Sequence, residues 1–151
     1  MNVTYTTPNS ISKISSKMNK QQDMLKISSD TKNISRLEPF IDRLSKKYKF
    51  TPDTYGNILI SLTEAVTNAI IHGNNGDKTK SVSVKTRKLK NCLAFLISDE
   101  GKGFDFNSIP DPTAAENIMK VGGRGVFLMR QLSDQLNFIN NGSTVEIQFN
   151  L

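Results

Sequence analysis

The sequence predicts an α+β fold, with one sheet carrying its helices on a single face. Three observations predict it. The chain has 151 residues and is 36% hydrophobic, which suits one domain around one core. Its periodic segments run strand, two helices, two strands, loop, helix, two strands, without internal repeats. The last two strand-like runs, QLNFIN and STVEIQF, meet at Asn141-Gly142, a hairpin signal.

Residues 1–22 are rich in Ser, Asn, Thr and Lys and have little to bury, so they read as a flexible tail ahead of a domain over residues 23–151. Met18 offers an alternative start. The run DMLKISS at 23–29 reads as a first strand. Asp30 or Thr31 can cap a helix to about Tyr48, whose Ile34, Leu37, Ile41 and Leu44 step by three and four along one buried stripe. Thr51-Pro52 signals the next helix, which runs to about residue 72 and stops at Gly73.

SVSVKT alternates as a half-buried strand does, whereas CLAFLIS is almost uniformly apolar and reads as a central strand. A short KLKN turn separates them, and DEGKGF follows as a tight loop. Residues 105–121 are irregular around Pro110 and Pro112, with a short helix predicted near Ala114 to Met119. GGRG then opens a helix of GVFLMRQLSD.

The net charge of +6 is uneven. Lys13, Lys17 and Lys20 in the tail supply half of it, and a second cluster spans Lys78, Lys80, Lys85, Arg87, Lys88 and Lys90. Aromatic residues are not interleaved with these charges and no groove-reading motif accompanies them, so direct nucleic-acid binding is not expected. A solvated strand edge is the expected role of the second cluster. No apolar run approaches the ~18 residues of a membrane span, and the N-terminus lacks the apolar core of a signal peptide, so the expected location is cytoplasmic. Cys92 is the only cysteine, which excludes a disulfide framework and reads as a small buried side chain.

Three places can carry chemistry. On the second helix, Glu64, Asn68 and His72 recur every four residues, opposite the apolar face of Tyr55, Ile58, Leu59, Leu62, Val66, Ala69 and Ile70. Ile60 and Ile71 lie within ~40° of Glu64. The stripe therefore reads either as a solvated face or as a polar line looking into a cavity. At the end of CLAFLIS, Asp99 is followed by Gly101 and Gly103, which allow a sharp turn or a close approach to a ligand. Gly122-Gly123-Arg124-Gly125 opens a helix, either as a phosphate site or as a tight packed loop.

The order of these motifs is more specific than any one of them. EAVTNAIIHGN resembles the N box of the GHKL ATP-binding superfamily, DEGKGF its first glycine box and GGRGVFLM its second. The short chain is most similar to the anti-sigma-factor serine/threonine-kinase branch. The resemblance implies a Bergerat fold: a two-layer α/β sandwich with a mixed, mainly antiparallel sheet. It implies ATP and magnesium as cofactors, with Glu64 as the general base, Asn68 as the magnesium ligand and Asp99 as the carboxylate that recognises the adenine amino group. Gly101 and Gly103 would shape the adenine pocket, residues 105–121 would form a lid, and Gly123, Arg124 and Gly125 would close on the phosphates. Thr144 would help at the adenine through water, and His72 would be structural or close to the phosphates. The partners so implied are an anti-anti-sigma-type antagonist, a sigma factor and a second copy of the chain, the last across the first helix and strand.

Overall fold

The structure is a computed structural model and describes residues 22–103 and 121–151. The expected tail, the lid span and the short helix near 114–119 lie outside these residues. Strand β1 (Met24–Ser28) is followed by a 3-10 segment (Thr31–Arg36) and helix α1 (Leu37–Tyr48). Helix α2 (Pro52–Asn68) runs into a π-turn (Ala69–Gly73). Strands β2 (Ser81–Lys88) and β3 (Cys92–Ser98), helix α3 (Val121–Leu132), and strands β4 (Gln135–Ile139) and β5 (Thr144–Asn150) complete the chain.

The sheet order is β1-β2-β3-β5-β4, and every ladder is antiparallel. The expected α+β sandwich is present, and antiparallel pairing accounts for the whole described sheet. β3 is central, as its apolar composition requires: Leu93, Phe95 and Ile97 are buried, and their β5 partners Phe149, Ile147 and Val145 are buried beside them. Leu37, Phe40, Ile41 and Leu44 of α1, Ile58, Leu62 and Val66 of α2, and Val126 and Met129 of α3 complete this core. Helices α2 and α3 lie against one another.

Local chemistry explains where the elements depart from expectation. The segment after Asp30 is 3-10 before it is α-helical. Asp30 accepts from the Lys32 N–H, Asn33 donates to the Ser28 carbonyl and hydroxyl, and Ser35 donates to the Lys32 carbonyl. Such side-chain bonds compete with the α-helical ladder. Thr51 caps α2 through the Thr54 N–H at 3.2 Å, with Pro52 in the first turn, as expected. The lysine-rich β2 is not an edge strand, because it pairs with both β1 and β3. Lys85 and Arg87 instead lie exposed on the sheet, and Arg87 pairs there with the buried Glu146 carboxylate. Cys92 is only half-buried and touches Gln148 Oε1 at 3.8 Å. The β4–β5 hairpin forms, through residues 140–143, with Asn140 and Asn141 at positive φ.

Candidate nucleotide site

Helix α2 sets out the first half of the site. The α-helical repeat places Glu64 and Asn68 one turn apart, both half-buried, facing α3. A Cβ built on Gly125 of α3 would lie 2.8 Å from Glu64 Oε2 and 3.3 Å from Asn68 Nδ2. Glycine at 125 thus lets α3 approach the two polar groups closely. The four glycine-box residues are not a loop ahead of the helix, since α3 begins at Val121 and contains Gly122, Gly123, Arg124 and Gly125. Gly123 is buried and Arg124 is exposed.

His72 does not continue the stripe. The regular repeat ends at Asn68, and the π-turn closes with the Asn74 N–H on the Ala69 carbonyl at 2.8 Å. A wider turn breaks the four-residue register. His72 is exposed and, among the described residues, has no hydrogen-bond partner. Thr63 and Thr67 lead into this turn by donating to the carbonyls of Leu59 and Thr63 at 2.7 and 2.6 Å. Ile60 and Ile71, the expected flanks of a covered stripe, are 44% and 45% exposed. Helix α2 is therefore covered on its sheet and α3 sides and not all round.

The second half of the site lies where β3 ends. Asp99 Oδ1 accepts the Gly101 N–H at 2.7 Å, and the Asp99 N–H donates to the Ser143 carbonyl at 3.0 Å. Among the described residues, Oδ2 has no hydrogen-bond partner. A Cβ on Gly73 would sit 2.3 Å from Asp99 Cγ and Oδ2, and one on Gly101 would sit 2.0 Å from the Gly73 carbonyl oxygen. Gly73 therefore does more than stop a helix: its bare Cα makes room for the carboxylate. Gly103, at φ +83°, backs onto the Asn141 carbonyl, where a Cβ would come within 1.9 Å. Thr144 is buried beside Asp99 and shares a hydrogen bond of 2.9 Å with Ser98 Oγ. Burial pushes the Asp99 pKa up, against the opposing pull of the Gly101 N–H and Lys80. Glu100, next in the chain, moves the other way, because its carboxylate accepts from the Ser81 N–H and hydroxyl.

The two halves share one rod: from Glu64 to Gly73 is about 13 Å along a helix axis. Glu64, Asn68 and Gly125 meet at one end, and Gly73, Asp99, Gly101 and Thr144 at the other. Asn74 went unmarked in the sequence, although it ends the EAVTNAIIHGN run. It is 1% exposed. Its amide donates to Ser29 Oγ at 2.7 Å and to the Ser81 carbonyl at 3.0 Å, and accepts the Glu100 N–H at 2.8 Å.

This arrangement fits a nucleotide: a half-buried carboxylate with a free oxygen for a base amino group, glycines giving close backbone approach, and a carboxylate and an amide beside the start of a helix. The donor set at Asn68 suits magnesium, which keeps most of its coordination for water and phosphate oxygens.

Known proteins are similar to this chain. A serine-protein kinase RsbW of Bacillus subtilis (strain 168) is 26% identical over 128 residues, covering 80% of each chain. An RsbW of Bacillus licheniformis is 29% identical over 111 residues, 69% of each chain. An anti-sigma F factor of Anoxybacillus flavithermus is 27% identical over 126 residues, covering 76% of this chain and 74% of its own. The sequence pattern of the histidine kinase-like ATPase domain matches residues 27–149. With that span covering most of the sheet, all three helices and both halves of the site, the chain belongs to the histidine kinase-like ATPase domain family.

Proposed function

We propose that this protein is an ATP-dependent protein serine kinase of the anti-sigma-factor type, which phosphorylates a small antagonist protein and sequesters a sigma factor. The relatives named as serine-protein kinases and as an anti-sigma F factor support the class. One observation carries the chemistry. Glu64 and Asn68 are brought together against Gly125, and among the described residues neither has a hydrogen-bond partner of its own. Half-buried polar groups left unpaired are suited to a ligand.

Magnesium-ATP, when bound, supplies the phosphoryl group and neutralises its charge. Asp99 holds the adenine amino group through Oδ2, with Thr144 assisting through water and Gly101 and Gly103 shaping the pocket. Asn68 offers its amide oxygen to magnesium. Gly123 and Gly125 admit the phosphates to the first turns of α3, where Arg124 makes a bidentate contact. His72, exposed on the π-turn, is not part of the chemistry. Glu64 takes the hydroxyl proton of the acceptor serine as its oxygen bonds to the γ-phosphorus. The bond from that phosphorus to the bridging oxygen breaks, and ADP leaves. The chain works in the cytoplasm as a homodimer.

The test is incubation with γ-labelled ATP, magnesium and an anti-anti-sigma protein. Label is expected on a serine of that protein. Glu64→Gln should lower kcat by about 10²-fold or more while leaving ATP affinity within a few-fold. Transfer that survives Glu64→Gln removes the base assignment. ATP binding without any transfer by the wild type makes the protein a nucleotide-dependent binding module instead.

A further inference from the structure

We infer that Asn74 is a positioning residue for base recognition, holding the Asp99–Glu100 peptide so that the Asp99 carboxylate stays against Gly73; this rests on the reading of Asp99 as the adenine-recognising group.

The residue joins four parts of the chain through one side chain and its own N–H. Its N–H closes the π-turn on Ala69. Its side-chain NH₂ binds Ser29, after β1, and Ser81, at the start of β2. Its side-chain oxygen holds the Glu100 N–H, in the loop after β3. Both amide hydrogens and the oxygen are thus engaged in a site that excludes water. Glu100 returns the connection, since its Oε2 accepts from the Ser81 N–H at 2.5 Å and from the Ser81 hydroxyl at 3.1 Å.

Asp99 is where this bracing matters. Its carboxylate fits against Gly73 with no room for a methyl group, and one oxygen is already committed to Gly101. Among the described residues Oδ2 is unpaired, so a small rotation of the Asp99–Glu100 peptide redirects the oxygen that reads the base. Asn74 fixes that peptide from its far side. It also ties the peptide to the π-turn that carries Gly73. One amide therefore registers both walls of the base niche against each other. Removing it leaves the part-buried Glu100 N–H without its acceptor, which frees the loop rather than merely shortening a side chain.

The test compares ATP with inosine triphosphate, which has a carbonyl where adenine has its amino group. Both are titrated with magnesium into the full chain by calorimetry. The wild type is expected to prefer ATP. Asn74→Ala should reduce the ATP-over-ITP preference by about ten-fold or more. A purely structural loss would weaken both nucleotides alike and keep their ratio. Where Asn74→Ala loses its cooperative melt, Ser29→Ala carries the test, because it removes one acceptor of the Asn74 amide and leaves the Glu100 bond. A smaller drop in the same preference is then expected. An unchanged preference in the folded variant overturns the role of Asn74 alone. A wild type that binds no ATP, or that binds ATP and ITP equally, overturns the base-recognition reading and the role of Asn74 with it.

Discussion

The two ends of the proposed nucleotide site, the base end at Asp99 and the phosphate end at Glu64 and Asn68, are built in opposite ways. At the base end, Glu100, Asn74, Ser81 and Ser29 form a connected hydrogen-bond set, Asp99 accepts from Gly101 beside it, and backbone meets backbone where Gly101 faces Gly73 and Gly103 faces Asn141. At the phosphate end, Glu64, Asn68 and Arg124 have no hydrogen-bond partner among the described residues. Their nearest constraint is Gly125, which touches flexible side-chain tips. The difference suits the chemistry. A base must be recognised by fixed oxygens, so its pocket is preorganised. The groups at a phosphoryl-transfer centre find their partners in the bound ligand and acceptor.

The strongest way to break this contrast is to add one methyl group at each end. Gly101→Ala drives a Cβ to within 2.0 Å of the Gly73 carbonyl oxygen, and neither backbone can yield cheaply. It should cost about 3 kcal/mol of stability in urea titrations and abolish ATP binding. Gly125→Ala meets only Glu64 Oε2 and Asn68 Nδ2, which can swing aside. Alanine also gains about 1 kcal/mol over glycine inside a helix. That variant should fold at least as stably as the wild type and bind ATP, while kcat falls by about ten-fold or more because Glu64 is displaced. Equal damage at both ends would mean that the phosphate end is as rigid as the base end.

A smaller effect separates function from stability at Asp99. Burial raises its pKa above the ordinary carboxylate value, so the folded protein binds this proton more tightly than the unfolded chain. The stability contributed by the group is fully present below the unfolded value and is lost as pH rises through the raised folded value. Asparagine is neutral throughout and can still accept the Gly101 N–H. Asp99→Asn should therefore melt at a higher temperature than the wild type at pH 7, with the gap closing toward pH 4. Its ATP affinity should fall by about ten-fold. A variant that melts lower at pH 7 would show that the charged carboxylate braces the loop, and the base end would then owe its rigidity to Asp99 as well as to Asn74.

The sequence disclosed the phosphate end better than the base end. Glu64 and Asn68 are legible because a helical repeat of four aligns them and because two glycine motifs follow in a fixed order. Asp99 is legible as a carboxylate ending the most apolar strand. Asn74 was not, since it acts through Ser29, 45 residues away, and Glu100, 26 residues away, and no local pattern announces either contact. The π-turn is equally silent: AIIHG carries no residue that requires it, and its register shift removes His72 from the stripe that the spacing predicts. Gly73 was read as a helix stop because the approach of Asp99 is a tertiary fact. The lysines of β2 misled in the same way. Their charge marked exposure correctly, but β1 covers that edge through pairings 53 to 61 residues distant, as Ser28↔Ser81 and Met24↔Lys85 show.

The smallest predicted effect is also the sharpest for the contrast. Ser61 lies three residues before Glu64 on α2, is 0% exposed, and its hydroxyl has no hydrogen-bond partner among the described residues. A buried hydroxyl without a partner is a net cost, and alanine is the better helix former. Ser61→Ala should raise stability by about 1 kcal/mol in urea titrations and leave both ATP affinity and phosphoryl transfer unchanged. That outcome follows if Glu64 owes its place to the helix backbone and to Gly125 alone. A loss of stability accompanied by a loss of transfer would mean that Ser61 braces Glu64 from beneath. The phosphate end would then be preorganised as the base end is, and its lack of visible partners would no longer distinguish the two.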